Sequence, residues 1–162
     1  MNYIQKWFFL GGLVFLLQGC QKDDICPEGT PTTPLLFIEF YDTLDVTRLK
    51  AVRSLEVQAS GMEEVYFEPE TTNSISIPLK TDQSFTEYIF IYNSGSDDEN
   101  RDVVTFNYSP NPEYINRACG FRINYNNLDV SVHQDDDNWI TSAIILQENL
   151  ENETEAHISF TH

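Results

Sequence analysis

A chain of 162 residues with 9 Lys+Arg against 26 Asp+Glu and a formal net charge of -17 has room for one ordinary domain. Its sequence pI of ≈ 4.2 leaves no positive surface for a phosphate backbone, so electrostatics excludes a nucleic-acid partner. Apolar residues make up 41% and aromatics 13% of the chain, too many for a disordered acidic tail.

The N-terminus reads as an address. Lys6 precedes the apolar run from Trp7 to Leu17, and Gln18-Gly19 follows before Cys20. That run is far short of the roughly 20 residues a membrane-spanning helix needs, and it falls within the usual length of a signal-peptide core. The end of the segment, Leu17-Gln18-Gly19-Cys20, resembles a bacterial lipobox. The resemblance implies cleavage before Cys20, two acyl chains on its sulfur and a third on its amino group. At about 0.8 kcal/mol per buried methylene, three chains would make detachment negligible. The tetrad Gln21-Lys22-Asp23-Asp24 resembles the export signal that some Bacteroidota lipoproteins carry beside the lipidated Cys, and implies delivery to the outer face of the outer membrane.

Expected boundaries follow: a signal peptide at 1–19, a lipidated tether at 20–34 and a folded domain at 35–162. Removing 1–19 takes away only Lys6, so the mature chain carries 8 Lys+Arg against 26 Asp+Glu, a formal -18. Such a polyanion is expected to stand off an anionic surface, held by its lipid and the stretch from Gln21 to Pro34. With Cys20 lipidated, Cys26 and Cys119 remain in an oxidising compartment and are expected to pair. The bridge closes 93 positions, which the chain-entropy model values at roughly 4 to 5 kcal/mol. A catalytic thiol or metal thiolate would call for a CxxC neighbour or a nearby His, and neither Cys has one.

Three prolines and a glycine between Cys26 and Pro34 predict an extended linker. Beyond it, alternation of period two predicts strands at Leu35–Tyr41, at Val52–Ala59, and at Val65–Phe67 where Pro69 ends the segment. Ile75 and Ile77 alternate with serines up to Pro78, and Tyr88–Tyr92 is apolar on both faces, as a central strand should be. The polar loop Asn93–Asn100 predicts a hairpin into Val103–Tyr108, with Val104, Phe106 and Tyr108 on one face. Ser109-Pro110-Asn111-Pro112 is expected to break the sheet. Phe121, Ile123 and Tyr125 alternate next, and a turn at Asn126-Asn127 is expected before Leu128, Val130 and Val132. Trp139–Leu146 and His157–Phe160 form the last predicted pair. A short helix over Ser142–Glu151 is the alternative, disfavoured by β-branched Ile144 and Ile145. Trp139, the only Trp of the mature chain, is expected in the core.

Eight to ten short strands with Pro and Gly punctuation predict an all-β fold, a single antiparallel β-sandwich, immunoglobulin-like in the broad sense. From Cys20 onward, Lys22-Asp23-Asp24, the leader Ile25-Cys26-Pro27-Glu28-Gly29-Thr30-Pro31-Thr32-Thr33-Pro34 and then Phe37-Ile38-Glu39-Phe40-Tyr41-Asp42 are similar to a family of uncharacterised Bacteroidota lipoproteins. So are Ile77-Pro78-Leu79, Ala118-Cys119-Gly120-Phe121 and His157-Ile158. The resemblance implies a lipoprotein and a disulfide between the matched cysteines; the family is a domain of unknown function, so it implies no chemistry.

Few residues point to a reaction. His133, His157 and His162 are the only histidines, with no GxSxG elbow or HExxH helix beside them. His133 beside Asp135 is half of a metal site at most. Two acidic runs, Asp97-Asp98-Glu99 and Asp135-Asp136-Asp137, carry the oxygen ligands Ca²⁺ takes, but neither has EF-hand spacing, and consecutive carboxylates point apart. Asp42-Thr43-Leu44 resembles a three-residue O-glycosylation site of Bacteroidota envelopes, with Thr43 as acceptor. No cofactor is implied. The expectation is a non-enzymatic outer-membrane lipoprotein, a binding or assembly module against another envelope protein. Its alternatives are a capture module for glycan or Ca²⁺, which exposed Tyr114 or Tyr125 near the acidic loops would favour, and a hydrolase with a dispersed triad. Sandwich architecture hosts all three.

Overall fold

The computed structural model describes residues 25–62 and 65–162. Two compact units divide them: a small one to which residues 25–31 and 114–121 belong, and a large one of 32–113 and 122–162.

The large unit is a β-sandwich. Its strands, in chain order, are β1 Leu36–Asp42, β2 Asp45–Leu49, β3 Val52–Ala59, β4 Val65–Thr72, β5 Ser74–Ile77, β6 Phe85–Tyr92, β7 Asn100–Asn116, β8 Gly120–Val132, β9 Ser142–Ile145 and β10 Ile158–Thr161, with the inner ends of β7 and β8 running into the small unit. In the first sheet β1 pairs with β10 on one side, while β5 and then β2 line its other side; β9 lies beyond β10. The second sheet runs β4-β3-β6-β7-β8. Alternation does the sorting, because side chains of period two send every second residue inward. Leu36, Ile38 and Phe40 from β1, Val104 and Phe106 from β7, and Phe90 from β6 are all fully buried. Phe160 joins the layers, with its ring 5.9 Å from Phe40, 5.5 Å from Phe90 and 6.5 Å from Phe106. Trp139 packs against this core, 6.3 Å from Phe40, and its indole N–H donates to the Phe90 carbonyl at 3.1 Å.

Several strands depart from the sequence expectation for identifiable reasons. The pairing is antiparallel except for β1 with β10, which run parallel with Ile38 opposite Ile158 and Phe40 opposite Phe160. These two strands are far apart in sequence, so no hairpin fixes their direction. The β9–β10 pair forms as expected, and no helix occurs over Ser142–Glu151. Pro110 and Pro112 do not break the sheet; β7 runs through them. Tyr108 donates its N–H to Ser84, so by alternation the proline nitrogens face the same side, beyond the first residue of β6, where no ladder bond is needed. Likewise Pro69 lies inside β4, an edge strand. The expected turn at Asn126-Asn127 is instead part of the continuous β8, where Asn127 takes a φ of 55°. Asn tolerates that left-handed conformation better than most residues. Strand β2, exposed throughout, has no apolar alternation to announce it.

The connection after β5 is held by three tyrosines. Tyr88, Tyr125 and Tyr108 donate their hydroxyls to the carbonyls of Pro78, Leu79 and Lys80, at 2.7, 2.9 and 2.9 Å. Tyr108 and Tyr125 also pack edge to face at 5.0 Å. Burial pushes the Tyr125 hydroxyl up to about 12, and it raises Tyr88 and Tyr108 as well. Because the folded values lie above the unfolded 10.0, the stability these groups contribute is fully present below pH 10 and is lost as pH rises through the folded values. Tyr125→Phe should leave the Leu79 carbonyl without its partner and lower the unfolding free energy by about 1–3 kcal/mol. Urea titrations below and above pH 10 check both points: the variant should unfold at lower urea below pH 10 and lose less stability than the parent above it.

Candidate functional site

The small unit is built around a bond. Cys26 and Cys119 form a disulfide, with Cα atoms 4.8 Å apart and 93 positions between them. Local sequence shapes both sides of it. On one side, Pro27-Glu28-Gly29-Thr30 makes a tight turn: Thr30 donates its N–H and hydroxyl to the Pro27 carbonyl, at 3.3 and 2.7 Å. Gly29, with a φ of 78°, occupies the third position, where such a turn favours glycine. On the other side, the turn Arg117–Cys119 joins β7 to β8. The Asn116 side-chain oxygen accepts the N–H groups of Ala118 and Cys119 at 2.9 and 2.8 Å, an Asx-turn arrangement that positions the cysteine.

Beside the bridge lies a concave notch of about 360 Å³, lined by Ile25, Pro27, Tyr114, Ile115 and Arg117 among others. Its surroundings are apolar and solvent-facing. Ile25 is 80% exposed, Tyr114 59% and Phe121 66%. The Tyr114 and Phe121 rings meet edge to face at 5.2 Å.

In the large unit, residues following the bridge are held as well. Ile123 donates its N–H to the Thr33 hydroxyl at 2.9 Å, and Leu35 donates to Glu153 at 2.8 Å. Arg122 pairs with Glu113 at 2.6 Å, and Asn124 donates to the same carboxylate at 2.9 Å. Asn124 and then Arg122 hold the Glu113 carboxyl below its usual range.

The remaining sequence candidates fall elsewhere. Cys20 and Gln21, Lys22, Asp23 and Asp24 lie outside the described residues. Thr43 is exposed in the turn between β1 and β2. Its neighbour Asp42 is already engaged, accepting the Leu44 N–H at 3.0 Å and pairing with Arg48, which together hold its carboxyl low. Tyr125, considered as an exposed aromatic, is fully buried, because its parity in β8 points it inward and its hydroxyl finds Leu79. Tyr114 is exposed as considered.

One carboxylate of each acidic run is engaged in a local turn. Glu99 binds Arg101 and the Gly95 N–H, and Asp135 accepts the Asp137 N–H at 3.0 Å. Asn100 reaches the Asp137 carbonyl. Among the described residues no three His, Cys, Asp or Glu side chains converge as a metal site.

The histidines likewise face other partners than a triad needs. His133 Nε2 lies 2.9 Å from the Thr105 hydroxyl and 3.7 Å from Glu87, rather than against Asp135. His162 donates to the Lys50 carbonyl at 3.2 Å. His157 accepts the Phe37 N–H on Nδ1 at 3.0 Å and donates from Nε2 to the Asn152 carbonyl at 2.9 Å. Both of its ring nitrogens are thereby occupied by backbone.

Asp102 is a buried carboxylate that the sequence reading passed over. It sits in phase with Val104 and Phe106, which is the signal that could have placed it inside. It accepts the Ile140 and Trp139 N–H groups at 2.7 and 3.4 Å. Burial raises its pKa, and the backbone donors oppose the rise.

Burial also lowers the pKa of His157 below 6.5. The unfolded chain therefore takes the proton first, so this contribution to stability is present above pH 6.5 and is lost as pH falls through the folded value. Protonation at Nδ1 also removes the acceptor for Phe37. His157→Gln keeps an amide acceptor and donor and cannot titrate. Thermal melts across this window should show a smaller loss of stability on acidification in the variant, with His162, also lowered by burial, still contributing in the same direction.

No curated protein matches the chain, and no solved structure matches it. A family model described as "Family of unknown function (DUF6452)" matches residues 54–162. That span includes Cys119 and the segments at Ile77, Ala118 and His157, and leaves out Cys20 and Cys26. The chain belongs to this family of unknown function.

Proposed function

We propose that the protein is a lipid-anchored lipoprotein of the outer membrane whose sandwich works as a non-enzymatic binding or assembly module against another envelope protein. The observation that carries this reading is the disulfide. It joins Cys26 to Cys119 and leaves Cys20, of the three cysteines in the chain, in the lipobox position. A structural disulfide belongs to an oxidising compartment, which is where a chain led by a signal peptide and acylated at Cys20 would reside. The Gln21 to Asp24 tetrad supports export to the outer face.

His157 and His162 bind backbone groups, His133 meets Thr105 and Glu87, and Glu99 and Asp135 bind local turn partners. Recognition by surface shape therefore accounts for the molecule with fewer assumptions than hydrolysis or Ca²⁺ capture.

Intact mass analysis of the native protein from its envelope tests the reading. The expected species lacks residues 1–19 and carries three acyl chains at Cys20, and Cys20→Ala should stay unprocessed or appear without lipid. A mature protein without acyl mass would overturn the anchor. Protease shaving of intact cells then decides orientation: cleavage of the domain supports the surface, and protection until the outer membrane is broken places it inside.

A further inference from the structure

We infer that the disulfide-pinned tip, residues 25–31 with 114–121, is a membrane-contacting surface that seats on the bilayer in which the Cys20 lipid is embedded. The inference rests on the lipid anchor proposed above and adds which surface faces the membrane. Its first ground is reach. Only five residues separate Cys20 from Cys26, and at about 3.3–3.6 Å per residue over six steps even a fully extended segment spans at most about 22 Å. The disulfide then transfers that limit to Cys119 and its turn. Whatever the direction of the large unit, the tip stays within a short distance of the headgroups.

Composition supplies the second ground. The tip exposes Ile25, Tyr114 and Phe121 together, an aliphatic and two aromatic side chains of the kind that partition into a membrane interface. Exposing them singly would need no explanation, but here two of the three meet ring to ring beside an apolar notch.

Charge is the third. Residues 32–113 and 122–162 carry 6 Lys+Arg against 23 Asp+Glu, hence -17, whereas 25–31 with 114–121 carry one of each, Arg117 and Glu28, hence zero. An anionic leaflet repels the first set and not the second. Because the lipid makes contact intramolecular, the effective concentration of bilayer at the tip is high and a weak patch suffices.

The test uses the full mature lipidated protein in vesicles of phosphatidylethanolamine and phosphatidylglycerol doped with a photo-crosslinking lipid, with crosslinked sites mapped by mass spectrometry. Exposed apolar residues elsewhere serve as internal controls: Leu44 and Val46 in and beside β2, Ile144 and Leu146 in and beside β9. Crosslinks should concentrate on residues 25–31 and 114–121. The double variant Tyr114→Ser, Phe121→Ser, whose side chains are solvent-facing and whose melting temperature should be unchanged, should lower the yield there by about tenfold or more, since a tenfold change needs only about 1.4 kcal/mol of lost interface burial.

Acylated protein with crosslinks spread equally over the control sites, or absent from the tip, would overturn the inference and leave the anchor standing. A tip that crosslinks in native envelopes to a protein rather than to lipid would also overturn it. Protein without acyl mass at Cys20 would overturn the anchor, and the inference with it.

Discussion

The bond between Cys26 and Cys119 ties the start of the described residues to the turn between the two longest strands among them. Without it, the stretch after Cys20 would be a leash of about fifteen residues, ending at the first strand. With it, that stretch would end at Cys26, and the residues that follow are held: the Pro27 turn, the Thr33 hydroxyl receiving Ile123, the Leu35 N–H on Glu153. A crosslink over 93 positions also removes much of the freedom of the unfolded chain. One covalent bond therefore adds to the stability of the domain and, on the proposed anchor at Cys20, limits how far it could stray from the membrane.

The sandwich that this bond staples is held by two different kinds of contact. Between the sheets, Phe40, Phe90, Phe106 and Phe160 interlock as edge-on rings with one stacked pair, Phe106 on Phe160, which supplies area without direction. At the connection from β5 toward β6, three buried tyrosines supply direction, because each hydroxyl has one backbone carbonyl to satisfy and those carbonyls are consecutive. Apolar burial explains why the two layers close. The tyrosines explain why the chain crosses between them along one path.

Much of this was legible in the residues, and the exceptions are instructive. Strand β1 and the first half of β7 announce themselves because one face is more deeply buried than the other, so alternation survives in the sequence, and β6 announces itself as an apolar run buried on both faces. β2, exposed on both faces, has no such pattern. Proline breaks neither strand: Pro69 lies in the edge strand β4, and Pro110 and Pro112 lie in β7 beyond the end of β6. The parallel pairing of β1 with β10 is a contact between chain ends that no local signal encodes. At the site, cysteine counting found the disulfide because chemistry limits thiol pairing, whereas the exposure of Tyr114 and the burial of Tyr125 differ only by position in a strand and by one available carbonyl. The grouping of Ile25 with Tyr114 and Phe121 is a product of the bridge and could not be seen before the bridge was.

The central claim is that this bridge holds an apolar tip at the surface of the membrane. It is tested most directly by placing a fluorescent amino acid at position 121 of the lipidated protein and measuring its quenching by lipids brominated at increasing acyl depth, with the disulfide intact and in the Cys26→Ser, Cys119→Ser form. The account predicts quenching by shallow bromines in the bridged protein and a marked loss of it when the bridge is removed. Absence of quenching in the bridged, acylated protein, or equal quenching in both forms, would contradict it.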